Sequence, residues 1–480
     1  MAKSALKITQ LIKSQIFVNS SWGILSQALQ SIFLSLFFII IARNYPTELF
    51  ASFIIATSLY QLIAAFSSLG LSQWFIREIT GSENKKDLVN KFFKIQLFSG
   101  VLFYALNILL GLILYDDKLI HILVVLLGIN IVFDNLINAI KCINISEFKQ
   151  KKTFVILSID AFLKFGAACF LYVYPFSIIT LSAILVVARF VTLNLFLNIG
   201  SSRLINLNLL IRYKISLNYI KRIIVLNWPF IIIGSVSIIN WRFATIIISK
   251  ALLPLDVANY EISYRVFSIA LMLPVVVSTT VFPMLINFFK ENKVLDLSAF
   301  YRKMHFYYLI FGLFSFTFIY SFIDFILPIL FGPRYSETGI YTKQMFLTIL
   351  VFPTAFLQAN VLVAMKLEKL DMWFNVVMLI VNIIFCIVGL YFYKSLLVVN
   401  VSIFSGFLLF RIFQDIILIK KNVSSGGHVF NFYALSILSI VSYLLLGKFI
   451  NSVVLFPGYW IGMLGCYFLI KKLNFKKYQT

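Results

Sequence analysis

The chain has 480 residues, of which 61% are hydrophobic, 17% aromatic and 12% charged, and its mean hydropathy is +0.97. About a quarter of an ordinary soluble protein is Asp, Glu, Lys or Arg, so this chain lacks the charge to cover a water-facing surface; soluble enzymes, secreted disulfide scaffolds and disordered regulators are excluded. The formal charge of +23, from 41 Lys and Arg against 18 Asp and Glu, signals nucleic acid only in a soluble protein; in an integral membrane protein its placement decides its meaning.

Crossing about 30 Å of hydrocarbon takes roughly 20 apolar residues, and the chain holds about fourteen such runs. They are Phe17–Ala42, Leu49–Leu71, Phe93–Tyr115, Leu119–Ala139, Phe154–Tyr174, Phe176–Leu197, Ile223–Ser249, Tyr260–Phe288, Phe306–Leu330, Tyr341–Ala364, Met372–Tyr393, Leu396–Ile419, Val429–Leu446 and Ile450–Ile470. The runs are continuous rather than alternating, which predicts helices and not barrel strands. Only Gly447 and Lys448 separate the strongest parts of the last pair.

Lys and Arg in the short loops set the orientation. With the N-terminus inside, the inner segments hold Lys3, Lys7 and Lys13, Lys85, Lys86, Lys91 and Lys94, Lys149, Lys151 and Lys152, Lys221 and Arg222, Lys420 and Lys421, and the basic C-terminal tail. The outer loops hold Arg43, Lys118, Lys250, Arg334, Lys343, Lys394 and Lys448. Both ends are therefore expected in the cytoplasm of a multi-pass cytoplasmic-membrane protein. The positive charge reads as topology and contact with anionic lipids, with no nucleic-acid partner.

Spans 1 and 7 end alike. Phe38-Ile-Ile-Ile-Ala-Arg43 is followed by Pro46, Glu48, Ala51 and Phe53; Thr245-Ile-Ile-Ile-Ser-Lys250 is followed by Pro254, Asp256, Ala258 and Tyr260. This predicts a parallel repeat of two six-helix lobes. The stretch Gly200–Arg222 between them mixes Leu204, Leu207, Leu210 and Ile211 with Arg203, Arg212 and Lys214, as an interfacial amphipathic linker does. The expected organisation is all-α and polytopic: a cytoplasmic N-terminus (1–16), an N-lobe (17–198), the linker (199–222), a C-lobe (223–421), a C-terminal helix pair (422–470) and a cytoplasmic tail (471–480).

The sequence carries no catalytic constellation. There is no GxxxxGK[ST] phosphate loop, His121, His305 and His428 are far apart, and none lies in HExxH. Cys142, Cys169, Cys386 and Cys466 show no metal-ligand or disulfide spacing. Neither a cofactor nor a metal is expected, and the chain is not read as an enzyme. A lipid-linked glycan polymerase or ligase, which uses a large outer loop, is disfavoured because no outer loop is long.

What remains is ionisable groups inside apolar helices, each costing roughly 2.5–3.5 kcal/mol at the bilayer centre. Asp160 with Lys164, Glu261 with Arg265, and Arg411 with Asp415 are four residues apart and are expected as pairs on one helix face. Arg189, Arg242, Asp134 and Asp324 have no such neighbour and read as unpaired. Arg43, Arg242 and Arg265 fall near the outer leaflet, where a guanidinium can bind phosphate bidentately. The cations within the helices are matched by acids, so composition alone gives no net cationic cavity. Polar residues on spans 1, 4, 7 and 10 (Gln27, Gln30, Asn130, Asn135, Asn138, Asn240, Gln358 and Asn360) fit either interhelical hydrogen bonds or a central water-filled path.

Several stretches resemble the polysaccharide transporter family, the O-antigen and capsule flippases of the multidrug/oligosaccharidyl-lipid/polysaccharide exporter superfamily. They are Asn19-Ser-Ser-Trp22 through Arg43 with Tyr45-Pro46 and Leu69-Gly-Leu-Ser72; Ile238-Ile-Asn-Trp-Arg242 through Asp256, Asn259-Tyr260 and Ser263-Tyr-Arg265; and Phe331-Gly332 with Tyr335. The chain departs at Ala244, where the family often has Asp. The resemblance implies two lobes that alternate access to a central cavity, and a substrate of undecaprenyl-pyrophosphate-linked oligosaccharide moved from the inner to the outer leaflet. With such a substrate, Arg43, Arg242 and Arg265 are expected to engage the diphosphate near the outer leaflet and Lys164 and Arg189 to guide it from the inner side, and Asp134 and Asp324 are candidates for ion coupling. Polymerase and chain-length machinery are the implied protein partners. A cation-coupled drug or metabolite antiporter of the same superfamily is the alternative.

Overall fold

The computed structural model describes residues 2–200, 204–205, 216–291 and 293–477. Of the predicted linker, residues 201–203 and 206–215 lie outside the described residues, as do 478–480 of the tail. The described chain is helical, with no strand among the described residues.

Eight helices lead to the linker: α1 (Ala2–Asn44), α2 (Thr47–Ser67), α3 (Ser72–Gly81), α4 (Lys85–Leu114), α5 (Lys118–Gly128), α6 (Asn130–Ser146), α7 (Gln150–Phe170) and α8 (Ile178–Ile199). Nine follow it: α9 (Leu217–Ala251), α10 (Pro254–Lys290), α11 (Val294–Phe331), α12 (Thr338–Met345), α13 (Phe352–Ala364), α14 (Glu368–Phe392), α15 (Leu396–Lys420), α16 (Gly426–Leu446) and α17 (Ser452–Lys477). Among the described residues 12 segments are long and apolar enough to cross a membrane, and Ser452–Gly465 is a shorter apolar helix. The seventh predicted span is α9.

Two predicted spans are not single helices. The fourth is α5 and α6, joined at Ile129. The tenth runs from α12 through a 3-10 turn, Phe346–Leu350, into α13. Pro353 opens α13, where the missing N–H costs no helical hydrogen bond. Gly332 ends α11 at φ 95°, a left-handed conformation that favours glycine.

The chain forms two compact units. The first is Met1–Glu261 with Ile383–Val399; the second is Ile262–Asn382 with Asn400–Thr480. In the first, α1 packs on α7, α2 on α9, and α4 on α5 and α6. In the second, α11 packs against α12, α13, α16 and α17.

The surface of α4 shows why these helices belong in lipid. Phe98, Leu102, Leu109 and Ile113 face outward, while Gln96, Ser99, Gly100, Asn107 and Gly111 are buried. Small and polar residues inside with apolar residues outside is the membrane arrangement, in which helices associate by close packing and interhelical hydrogen bonds. Asn135 of α6 donates to Ser67 O and Gln96 O, each at 3.2 Å, Ser99 Oγ donates to Ser67 O at 2.6 Å, and Gln96 Nε2 to Ser68 O at 3.2 Å. Asn135 and Gln96 thus satisfy carbonyls at the end of α2. Asn138 donates to Ser72 Oγ at 2.8 Å. A Cβ on Gly100 would stand 3.0 Å from the Cα of Val132. Gly100→Leu is therefore expected to push α4 off α6 and destabilise the first unit by about 1–3 kcal/mol, measured as a lower melting temperature in detergent; an unchanged melting temperature would count against this contact.

Candidate functional site

In the first unit the ionisable residues of three helices meet. Asp160 and Lys164 are one turn apart on α7, so both project from one face, and Lys164 Nζ lies 2.8 Å from Asp160 Oδ2. Arg189 and Thr192 share a face of α8. Arg189 Nη1 is 3.2 Å from Asp160 Oδ2, and Thr192 Oγ1 is 2.8 Å from Asp160 Oδ1. The other edge of the Arg189 guanidinium grips Asp134 of α6, with Nε 2.6 Å from Oδ1. Asp160 is closed off at 5% side-chain exposure, whereas Arg189, Lys164 and Asp134 keep 19%, 25% and 29%. The cluster is therefore anchored at Asp160, with Asp134, Lys164 and Arg189 each partly accessible.

Tyr60 of α2 stands within electrostatic reach of Asp134, Arg189 and Arg242. Arg242, on α9, is buried, and its Nη1 donates to Glu261 Oε2 at 3.0 Å. Trp241 O, beside it, accepts from Tyr260 Oη at 3.3 Å. Ala244 is itself buried, so the carboxylate on Arg242 comes from α10 and not from α9.

Of the residues singled out in the sequence, Lys164, Arg189 and Asp134 come together, joined by Asp160. Arg43 ends α1 and is exposed. Arg265 is buried and belongs to the second unit. Asp324, also in the second unit, is 61% exposed and pairs with Lys343 of α12.

Arg189, Asp134, Arg242 and Asp324, read from sequence as unpaired, are therefore paired. Each partner is on another helix, where sequence spacing does not reveal it. Tyr60 and Thr192 escaped the sequence reading because a lone hydroxyl in an apolar run carries no spacing signal.

The second unit holds a separate polar group. Arg411 is fully enclosed. Its guanidinium carbon lies 3.7 Å from the ring centroid of Phe432 and 4.7 Å from that of Tyr433. Its Nε is 3.7 Å from Asp415 Oδ2, the pair expected from the sequence, and its Nη2 is 3.1 Å from Nε2 of His305. His305 Nδ1 is in turn 3.0 Å from Nε2 of His428. The three histidines look isolated in sequence, yet two of them meet here. Among the described residues no group of three or more His, Cys, Asp or Glu could hold a metal ion.

A bundle of apolar helices whose ionisable residues pair across helices defines a multi-pass membrane protein. Its fold is one seen in solved structures of membrane transporters. It is similar to the inward-facing conformation of a multidrug-resistance MATE-family transporter of the MOP superfamily, with 13% identity, a TM-score of 0.68, and coverage of 85% of this chain and 95% of that one. The outward-facing conformation of such a transporter gives 14% identity, a TM-score of 0.61, and coverage of 88% and 96%. A MOP-superfamily transporter from Pyrococcus furiosus, described as having a binding pocket of reversed polarity that suggests a different function, gives 13% identity, a TM-score of 0.59, and coverage of 86% and 96%. No curated protein matches the sequence. The model of the polysaccharide biosynthesis protein family matches residues 16–289, more than half of the chain, and the chain belongs to that family.

Proposed function

We propose that this protein moves an undecaprenyl-pyrophosphate-linked oligosaccharide across the cytoplasmic membrane by alternating access, for the assembly of surface polysaccharide. The observation that carries the reading is a cluster of helix residues that holds two partly accessible cations, Arg189 and Lys164, in a chain of the polysaccharide biosynthesis family.

The physical problem is the headgroup. Each sugar hydroxyl left without a partner in hydrocarbon costs several kcal/mol, and the diphosphate far more. A carrier need supply only a polar path and exchangeable countercharge. Arg189 holds two carboxylates with one planar fork, the same geometry that accepts phosphate oxygens bidentately. An arriving diphosphate takes one edge of the fork from Asp134, while Asp160 keeps the other edge and Lys164. The carboxylates keep the cations neutralised when the path is empty, so the resting protein carries no bare charge in lipid. In the first unit Arg242 with Glu261 offers a second exchange point and Arg43 a further cation; Arg265 is the candidate phosphate contact of the second unit. In this reading the basic segments face the cytoplasm and anionic lipids, and the product passes to polymerase and chain-length machinery.

The test is glycan export in a host lacking its own flippase, followed by surface glycan and by inner-leaflet lipid-linked repeat units. The intact gene should restore the first and lower the second. Arg242→Ala, at normal protein level, should reduce export at least tenfold, about 1.4 kcal/mol of lost interaction. Unchanged export would remove Arg242 from the path. Failure to export several matched glycans by a correctly inserted protein would turn the assignment to a cation-coupled drug or metabolite antiporter.

A further inference from the structure

The second unit contains a carboxyl group with no countercharge. Asp371, in the first turn of α14, is 5% exposed. Its Oδ1 accepts from Gln414 Nε2 at 2.9 Å and its Oδ2 from Asn375 Nδ2 at 3.2 Å. Among the described residues no cation pairs with it.

One position along α15 from Gln414, Asp415 makes a matching pair, accepting from Gln358 Nε2 at 2.6 Å and from Tyr433 Oη at 2.9 Å. Asp415, however, has Arg411 opposite it.

The hydrogen-bond chain on the far side of Arg411 fixes the remaining charges. A guanidinium only donates, so His305 Nε2 must be bare and its proton must sit on Nδ1. That proton points to His428 Nε2, which must be bare as well. Both imidazoles are neutral. The charged and titratable groups of the surrounding elements are then Glu368 and Lys369 on α14 itself, Lys366 in the turn before it, Arg411 and Asp415 on α15, Tyr301, Arg302 and His305 on α11, and His428 and Tyr433 on α16. Within the buried part of this set one guanidinium faces two carboxyls. The second carboxyl, held out of water without a cation, is driven to take up a proton.

The amides accommodate both states. Gln414 Oε1 and Gln358 Oε1 are buried without a hydrogen-bond partner. A half-turn of the Gln414 amide puts Oε1 where Nε2 stands, facing Asp371, so the amide donates to the carboxylate and accepts from the acid. The proton can leave and return while the hydrogen bond between α14 and α15 is kept.

We propose that Asp371 is an exchangeable proton site of the second unit, with Gln414 as its reversing partner, and that H+ is the ion whose movement drives transport. The site stands on the geometry alone; the coupling rests on the transport reading above. It also moves ion coupling away from Asp134 and Asp324, each of which is held by a cation.

The site is tested on the purified full chain in lipid nanodiscs by infrared difference spectroscopy across a pH series. The carbonyl stretch of a protonated carboxyl should be present at mildly acidic pH and disappear as the pH rises through neutral. Asp371→Asn should remove it and Asp415→Asn should leave it. Gln414→Leu, which keeps the carboxyl, should shift both its frequency and the pH at which it is lost. Absence of the band at mildly acidic pH, or its loss in Asp415→Asn and not in Asp371→Asn, overturns the site. Coupling is read in exporting cells, where collapse of the pH gradient at constant membrane potential should slow export several-fold in the wild type and leave the residual export of Asp371→Asn unchanged. A wild type indifferent to the pH gradient overturns the coupling. A wild type that exports nothing removes the transport reading and the coupling with it, while the infrared result still decides the proton site.

Discussion

Arg411→Ala is expected to destabilise the second unit by about 3–5 kcal/mol, because it removes one partner from a buried charge pair. Three losses add. Asp415 is left as a buried carboxylate with only Gln358 and Tyr433 as donors. His305 Nε2 loses its donor, and the proton order of the histidine chain is no longer specified. The faces of Phe432 and Tyr433 lose the cation packed on them and face a void. Arg411→Met with Asp415→Asn, which keeps volume and removes both charges together, should recover much of the loss. Melting temperature in detergent measures both. A melting temperature unchanged in Arg411→Ala would sink the account. The same reasoning covers the C-terminal pair. Since His428, Phe432 and Tyr433 all lie on α16, a chain ending at Lys421 leaves the guanidinium uncovered. It should fail to accumulate in the membrane, and the charge-free double substitution should restore part of its level.

The second large effect is at Arg189. Arg189→Ala leaves Asp160 paired with Lys164, and Asp134 with Lys141 of α6 and Lys164 in electrostatic reach. The group is partly open to solvent, so the loss is discounted to about 2–3 kcal/mol. Export should fall further than stability, because the fork that bridges two carboxylates is also the proposed phosphate acceptor. Arg189→Lys restores the charge but not the fork: a point-charge ammonium cannot take Asp134 Oδ1 and Asp160 Oδ2 on two edges of one plane. Stability should therefore return most of the way and export much less. Equal recovery of both would show that charge and not geometry is what Arg189 supplies. Asp134→Asn should free the fork without removing it, so that export survives at a changed rate. If Asp134→Asn abolished export as completely as Arg189→Ala, the exchange of carboxylate for phosphate at this edge would be wrong.

The membrane class and the helical spans were legible because hydropathy is additive along the chain. Any 20 apolar residues must be helical in lipid whatever surrounds them, since every backbone amide has to be satisfied within the segment. The local pairs Asp160 with Lys164 and Arg411 with Asp415 were legible for a similar reason: a spacing of four residues on a helix places two side chains on one face. The break at Ile129 and the 3-10 turn before Pro353 interrupt runs whose composition reads as continuous, so the helix count within the fourth and tenth spans was not legible.

The candidate site was legible as a list of residues and not as an arrangement. Arg189, Arg242, Asp134 and Asp324 each find a partner on a different helix, and interhelical partners depend on how helices pack. The meeting of His305 with His428, 123 residues apart, is of the same kind. So is the setting of Asp371, which carries no spacing signal in sequence and which is 5% exposed and held by Gln414 of α15. The sequence by itself determined which segments enter the membrane and which costly charges go with them, because both follow from local composition. Only the tertiary structure decided which charges neutralise each other, which stay accessible and which one is left without a countercharge, because those depend on distances of a few ångströms between helices far apart in the chain.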